Sequence, residues 1–296
     1  MNSLTSATEQ SSLSEAAATG PRAEALLGKL LQEAGKLKPQ DMERVLRLQQ
    51  KDNLRFGEAA LKLGVVTADD VRNALALQFK YPTVPASGKR LSPTLTVAVD
   101  PYGRQAEALR SLRSELLLRW LGDGRKTLAI GSTHVGEGAS FLAANLAVLF
   151  AQMGRKVLLI DADMRKPRQH EIFGLGNSMG LSDILADRMP SLHVHTIKPF
   201  HTLSVLPAGP TPPNPAELLG RPAFASLLSG VETSYDNILI DTAPSDFASD
   251  FQLVASRAGG MLIATRRNIS RLIPLGELKE KIALSGAEVV GAVMLD

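Results

Sequence analysis

Six short apolar runs rich in β-branched residues alternate with helical patterns in the part of the chain that begins near residue 101. The runs lie at residues 127–131, 156–160, 203–206, 237–240, 260–264 and 288–295. Parallel strands need long crossover connections, usually helices, so this alternation predicts an α/β domain with a mostly parallel, doubly wound sheet. Ligands of such sheets bind outside the carboxyl ends of the strands. The residues that follow the strands are therefore the first candidates for a functional site.

A glycine-rich loop joins the first of these runs to a helical pattern. It has the layout of a phosphate-binding P-loop, in which glycines let backbone N–H groups wrap phosphates and a helix N-terminus faces the anion. Ala139 stands where such loops carry a lysine that neutralises phosphate charge, and Ser140 stands where a hydroxyl holds Mg²⁺. We predict that the nucleotide is bound by Gly136, Glu137, Gly138, Ala139 and Ser140.

Two further apolar runs end in carboxylates. Asp161 and Asp163 follow the run at 156–160, and Asp241 follows the run at 237–240. A single Asp after a strand is often only a helix cap, but three strand ends suited to a Mg-nucleotide in one sheet indicate a nucleotide site or a relic of one. We assign catalytic roles to Asp161, Asp163 and Asp241, and Mg²⁺ ligation to Ser140, Asp161 and Asp241.

Residues 22–80 carry an internal repeat with a shift of 29 positions. The paired positions are Gly28 with Gly57, Gly35 with Gly64, and Gln49 with Gln78. Leu and Val recur at helical spacing within each copy, which predicts a small all-helical domain of two units. We expect a disordered tail at residues 1–21, a proline-containing linker at 81–100 and the α/β domain at 101–296.

Composition narrows the possible functions. The chain has no cysteine, which excludes disulfides, thiolate metal sites and a cysteine nucleophile. A net charge of only +3 does not favour a nucleic-acid partner. No apolar run approaches the roughly 18 residues that cross a bilayer. We expect a cytoplasmic protein without nucleic acid or a membrane span, peripheral at the inner membrane only through a partner.

Several motifs within residues 101–296 resemble the bacterial tyrosine-kinase (BY-kinase) family. Residues 161–170 resemble its Walker A′ segment, 206–219 its proline-rich segment, and 241–244 its Walker B region. Glu107, Arg110 and Arg113 resemble the motif of its oligomer contact. The resemblance is to the solitary cytoplasmic members named as chain-length determinants of exopolysaccharide export. It implies a ParA/MinD-like fold, ATP and Mg²⁺ as cofactors, a homo-oligomer, and a membrane polysaccharide co-polymerase as partner.

The helical repeat resembles the N-terminal (MshEN-like) domain of type II secretion and pilus ATPases, some of which bind cyclic di-GMP. The resemblance implies a cyclic di-GMP site formed by Gly28, Gly35, Gln49, Arg55, Gly57, Gly64 and Gln78. The first copy has Leu26 where the second has Arg55. The alternative is a helical docking module whose glycines only cap helices.

Three functions stay open at this point. The first is a kinase-like regulator of exopolysaccharide chain length and export that binds ATP weakly, because Ala139 replaces the lysine, and phosphorylates protein tyrosine. The second is a catalytically inactive docking module that responds to cyclic di-GMP. The third is a ParA/MinD-like positioning ATPase, which is disfavoured because the loop lacks a lysine and the chain shows no C-terminal amphipathic membrane helix.

Overall fold

The computed structural model describes residues 21–78, 91–101, 103–122, 124–189, 192–246 and 249–296. The chain divides into two compact units, Met1–Thr83 and Val84–Asp296. The predicted tail lies, except for Pro21, outside the described residues, as does the first half of the predicted linker. Within the described ranges, no helix is both long enough and apolar enough to span a membrane.

The first unit is helical, as predicted. Its helices are α1 (Pro21–Glu33), α2 (Pro39–Asp52), α3 (Phe56–Lys62) and α4 (Ala68–Gln78). The two copies share their turn geometry: the Gly35 N–H donates to the Gln32 carbonyl at 2.9 Å, and 29 residues later the Gly64 N–H donates to the Leu61 carbonyl at 2.9 Å. Both glycines are left-handed, with φ of 69° and 64°, a conformation that glycine adopts without steric cost.

The other pair of repeated glycines lies between packed helices. A Cβ at Gly28 would lie 2.9 Å from Met42 Cε and 3.0 Å from Phe56 Cζ, and a Cβ at Gly57 would lie 3.2 Å from Val71 Cγ1. The buried side chains around them form the apolar core of this unit. Close packing of the helices is therefore sufficient to explain both glycines without a ligand.

The second unit contains a seven-stranded sheet in the order β3-β4-β2-β5-β1-β6-β7. The strands are β1 (Thr127–Ser132), β2 (Val157–Asp161), β3 (His195–Thr196), β4 (Leu203–Leu206), β5 (Asn237–Asp241), β6 (Gly260–Arg266) and β7 (Glu288–Leu295). All neighbours pair in parallel except the short edge strand β3. The six predicted strands and the mostly parallel sheet are confirmed, and β3 is an addition.

Helices cover both faces of this sheet. They are α5 (Thr96–Val99), α6 (Arg104–Arg119), α7 (Ala139–Gln152), α8 (Gln169–Ile172), α9 (Leu181–Leu185), α10 (Pro215–Gly220), α11 (Pro222–Glu232), α12 (Asp250–Ala258) and α13 (Leu272–Leu284). Successive strand residues point to opposite faces: Leu159 joins the core that contains α5, α6 and α7, whereas Leu158 and Ile160 join the core that contains α9 to α13. A sheet buried on both faces explains why its strands read as continuous apolar runs.

The second unit extends further towards the N-terminus than the sequence predicted. Residues 91–100 fall in the predicted linker, but Leu95 and Val97 are fully buried in the core beside α7. Asn145 of α7 holds this segment, because its amide donates to the Thr94 carbonyl at 2.9 Å and its oxygen accepts from the Val97 N–H at 3.2 Å. The Pro-rich composition hid a segment that is anchored by a few buried apolar residues and by these hydrogen bonds.

Candidate functional site

The glycine loop between β1 and α7 has the backbone geometry of a phosphate cradle. Gly136 and Gly138 are left-handed, with φ of 88° and 95°, and Gly138 is the N-cap of α7. The positive φ of Gly138 favours glycine, and a Cβ there would also lie 2.5 Å from Leu295 Cδ1, so the leucine side chain would have to shift. The N-terminus of the 14-residue helix α7 therefore opens on the carboxyl edge of the sheet, where unpaired N–H groups favour an anion.

Glu137 braces this loop from behind. Its carboxylate is buried and accepts hydrogen bonds from the Thr133 N–H at 2.7 Å, the His134 N–H at 3.0 Å and the Ser270 hydroxyl at 2.5 Å. Burial alone would raise the pKa of Glu137, but the hydrogen bonds from Ser270, His134 and Thr133 outweigh it and hold the pKa below its usual value. The carboxylate is thus ionised at neutral pH and fixes the shape of the loop.

A second brace comes from the end of β6. The Arg266 guanidinium donates to the Gly136 carbonyl at 3.1 Å. Together with Ser270, it ties the loop to the segment between β6 and α13. These contacts join positions more than 100 residues apart and leave no local pattern in the sequence.

The three predicted carboxylates come together at the carboxyl ends of β2 and β5. Asp161 and Asp241 are register partners on these adjacent strands, and both are fully buried. Asp163 follows two residues later and is 6% exposed. Buried carboxylates so close to one another are costly unless a cation or a proton compensates them.

The electrostatics of the pair reflect this cost. Burial is the main cause that raises the pKa of Asp161 well above its usual value, and the charge of Asp241 adds to it. Burial likewise raises the pKa of Asp241 to about 7, although hydrogen bonds from Gln169 and Ser140 oppose the shift. Burial also raises the pKa of Asp163. A bound cation would reverse these shifts, because it stabilises the ionised forms.

The oxygens of the pair fit a magnesium ion. Among the described residues, Asp161 Oδ1 and Asp241 Oδ1 are buried without any hydrogen-bond partner. No set of three or more His, Cys, Asp or Glu residues in the described ranges forms a complete metal site. Mg²⁺ bound to nucleotides is held by one or two carboxylates, a hydroxyl, waters and phosphate oxygens. Asp161, Asp241 and the Ser140 hydroxyl, which contacts Asp241, provide the protein's share of such a site.

A cavity of about 280 Å³ lies at this edge of the sheet. It is lined by the P-loop residues Gly136, Gly138, Ala139 and Ser140, and by Asp163, Lys166 and Arg168. Glu137 does not line it. Of the predicted nucleotide-binding residues, the structure thus brings four to one cavity, whereas the buried Glu137 carboxylate bonds to Thr133, His134 and Ser270.

Gln169 belongs to the site, although no sequence pattern selects it. Its buried side-chain amide donates to Asp241 Oδ2 at 2.8 Å and to the Ser140 carbonyl at 3.1 Å. It therefore joins the carboxylate of β5 to the first turn of α7. A glutamine eight positions after Asp161 is too common a feature to reveal this role.

The predicted oligomer motif lies on α6. The Glu107 side chain is 72% exposed, whereas the Arg110 side chain is 14% exposed and contacts Glu107 at 3.1 Å. Arg110 also donates to the Pro101 carbonyl, and Arg113 donates to the Leu149 carbonyl at 3.5 Å. Within one chain, the two arginines thus have internal contacts, and Glu107 is the most available of the three for a neighbour.

Comparisons with known proteins place this geometry in a family. The AAA domain family matches residues 125–265. A tyrosine-protein kinase of Bacillus subtilis, YwqD, is 34% identical over 207 residues, which cover 70% of this chain and 87% of that protein. The crystal structure of the chimerical protein CapA2B2 matches with a TM-score of 0.64 and 33% identity over 75% of this chain and 97% of that chain. The cell division ATPase MinD of Pyrococcus furiosus shares the fold, with a TM-score of 0.50 and 23% identity over 57% of this chain and 71% of that chain.

Proposed function

The chain belongs to the bacterial tyrosine-kinase family, and on this basis we propose that its second unit binds a magnesium–nucleotide complex. In this proposal Gly136, Gly138 and the N-terminus of α7 hold the phosphates, and Asp161, Asp241 and Ser140 hold Mg²⁺. The bound state regulates exopolysaccharide chain length and export together with a membrane co-polymerase at the cytoplasmic face of the inner membrane. ATP is the expected nucleotide, and protein tyrosine the expected phosphate acceptor.

The observation that carries this proposal is the pair of buried, unpartnered carboxylate oxygens beside a phosphate cradle. A fold would not keep Asp161 Oδ1 and Asp241 Oδ1 unsatisfied for stability alone, since each buried group without a partner costs about 1–3 kcal/mol or more. A cation that bridges them to nucleotide phosphates would supply the missing partner.

Titration calorimetry with Mg-ATP and Mg-ADP tests the proposal. We expect the full chain to bind both, with a dissociation constant weaker than that of a lysine-bearing P-loop. Ser140→Ala should weaken Mg-nucleotide binding about tenfold or more, because it removes one Mg²⁺ ligand. The proposal is contradicted if the wild-type protein shows no detectable binding at millimolar nucleotide.

The positioning ATPase is the less favoured alternative. The likeness to MinD concerns the fold, whereas the relatives that match most of the chain are tyrosine kinases. Phosphate release in the presence of DNA or lipid vesicles, without tyrosine phosphorylation of any protein, would favour the ATPase over the kinase.

The proposed homo-oligomer depends on the exposed carboxylate of Glu107. Glu107→Lys reverses the charge that a neighbouring subunit would meet, so we expect oligomers to dissociate at micromolar concentration. Multi-angle light scattering measures the mass directly. Glu115→Lys is the matched control, because Glu115 lies on the same helix, is 56% exposed and pairs only locally with Arg119. Equal masses for the two variants would argue against a Glu107 contact.

A response of the first unit to cyclic di-GMP is a separate part of the proposal. The repeated turns at Gly35 and Gly64 support a two-fold arrangement, and Arg55, two positions before Gly57, is exposed. The side chain of Gln78 lies outside the described residues, and Gln49 is half-buried. Calorimetry of the full chain with cyclic di-GMP, with Arg55→Ala for comparison, distinguishes a ligand site from a docking module, which would give no heat in either protein.

A further inference from the structure

The nucleotide cavity contains cationic side chains that do not come from the P-loop. Lys166 and Arg168 line it together with Ala139, the residue at the position of the usual lysine. They lie on the loop between β2 and α8. The positive charge that Ala139 does not supply is therefore supplied by another part of the cavity lining.

The loop that carries these cations is fixed in place. Asp163 Oδ1 accepts from the Lys166 N–H at 2.9 Å, and Asp161 Oδ2 accepts from the Arg168 N–H at 3.1 Å. Asp161 is a proposed Mg²⁺ ligand, and Asp163 lies two residues beyond it. The backbone of Lys166 is thus tied to a carboxylate of the site, so its side chain starts from a fixed point beside the cavity.

The three cations of this loop differ in how they meet the cavity. Arg165 does not line the cavity, because it makes two hydrogen bonds, at 2.7 Å and 3.1 Å, to the buried carboxylate of Asp250. Arg168 pairs with Glu171 at 3.0 Å, and Glu171 brings its own negative charge to the cavity wall. Lys166 lines the cavity and is exposed, and its ammonium group is of the type that donates hydrogen bonds to phosphate oxygens.

We propose that Lys166 takes over the role of the P-loop lysine and neutralises the terminal phosphates of the bound nucleotide. The inference rests on the proposed Mg-nucleotide binding and explains how a P-loop with Ala139 retains it. A charge-assisted contact from the β2–α8 loop would replace the one that the P-loop lacks. The two positions should then be interchangeable, since a lysine at either one serves the same phosphates.

A double-mutant cycle on the full chain tests this exchange. Calorimetry with Mg-ATP compares the wild-type protein, Lys166→Ala, Ala139→Lys and the double variant. Lys166→Ala should weaken Mg-ATP binding roughly ten- to hundredfold, and Mg-ADP binding less. Adding Ala139→Lys to Lys166→Ala should restore most of the lost affinity. Lys166→Arg, which keeps the charge, should stay within about threefold of the wild type.

Lys279→Ala provides the matched control, because Lys279 is an exposed lysine on α13 that does not line the cavity. Fluorescence of Trp120, the chain's single tryptophan, confirms that each variant is folded. If Lys166→Ala binds Mg-ATP as tightly as Lys279→Ala, or if Ala139→Lys fails to rescue it, the inference is overturned while nucleotide binding stands. If the wild-type protein binds no Mg-nucleotide, the proposed function fails and the inference with it.

Discussion

Replacing Asp241 by Asn should raise the melting temperature of the ligand-free protein at pH 8. Burial raises the pKa of Asp241 to about 7 from its ordinary 3.8, and each pKa unit corresponds to about 1.4 kcal/mol. Because the pKa of Asp241 is higher in the folded state than in the unfolded state, its contribution to stability is complete at pH values below the unfolded-state pKa. This contribution is lost as the pH rises through about 7. At pH 8 the ionised carboxylate therefore costs on the order of 4 kcal/mol as an upper bound. Asn removes that cost and still offers an oxygen to the Gln169 amide.

Thermal unfolding followed by Trp120 fluorescence measures this effect in the second unit alone, because Trp120 is buried there and is the chain's single tryptophan. We expect a gain of about 5 °C at pH 8 and almost none at pH 4. Asp246→Asn is the control, since this nearby carboxylate is exposed. The same Asp241→Asn variant should lose Mg²⁺-dependent nucleotide binding. If Asp241→Asn instead lowers the melting temperature at pH 8, the Asp241 carboxylate stabilises the ligand-free fold, which would contradict the cost that we assign to it.

The sequence predicted the sheet because its strands are buried on both faces. In the runs 156–160 and 237–240 every residue after the first, Lys156 or Asn237, is apolar, and an aspartate follows each run at the strand end. Local pattern is sufficient there, since the order strand, loop and helix determines where each carboxyl end lies. The edge strand β3 was missed because two residues, His195 and Thr196, carry no period.

The supports of the site could not be predicted in the same way. Gln169, Arg266 and Ser270 act through contacts with residues distant in sequence. Glu137 was predicted to bind nucleotide because it lies within the glycine loop, yet its side chain faces the protein interior. Sequence position assigns a residue to a loop, but only tertiary packing decides which side of the loop its side chain occupies.

Glu137→Ala should destabilise the second unit by about 3 to 5 kcal/mol. The substitution leaves the buried Thr133 N–H and the partly buried His134 N–H without their acceptor, and it also removes the partner of the Ser270 hydroxyl. Each unsatisfied buried donor costs about 1–3 kcal/mol, and the loop that should hold the phosphates loses its brace. Urea unfolding followed by Trp120 fluorescence gives the free energy of unfolding of this unit.

Two milder variants separate the effect of the hydrogen bonds to Glu137 from the effect of its charge. Ser270→Ala removes one donor and leaves the Glu137 carboxylate with the two backbone N–H groups and the Thr133 hydroxyl, so we expect a loss of about 1 kcal/mol. Glu137→Gln keeps one acceptor oxygen at the same position, so its loss of stability should lie between those of Ser270→Ala and Glu137→Ala. Hydrogen bonds hold the pKa of Glu137 below its usual value in the folded protein. Its contribution to the free energy of unfolding is therefore complete at pH values above the ordinary pKa of a glutamate, and it is lost as the pH falls through the lowered folded-state pKa. The stability gap between the wild type and Glu137→Gln should therefore narrow in acid, and a gap that does not change with pH would mean that the charge of Glu137 plays no part in holding the loop.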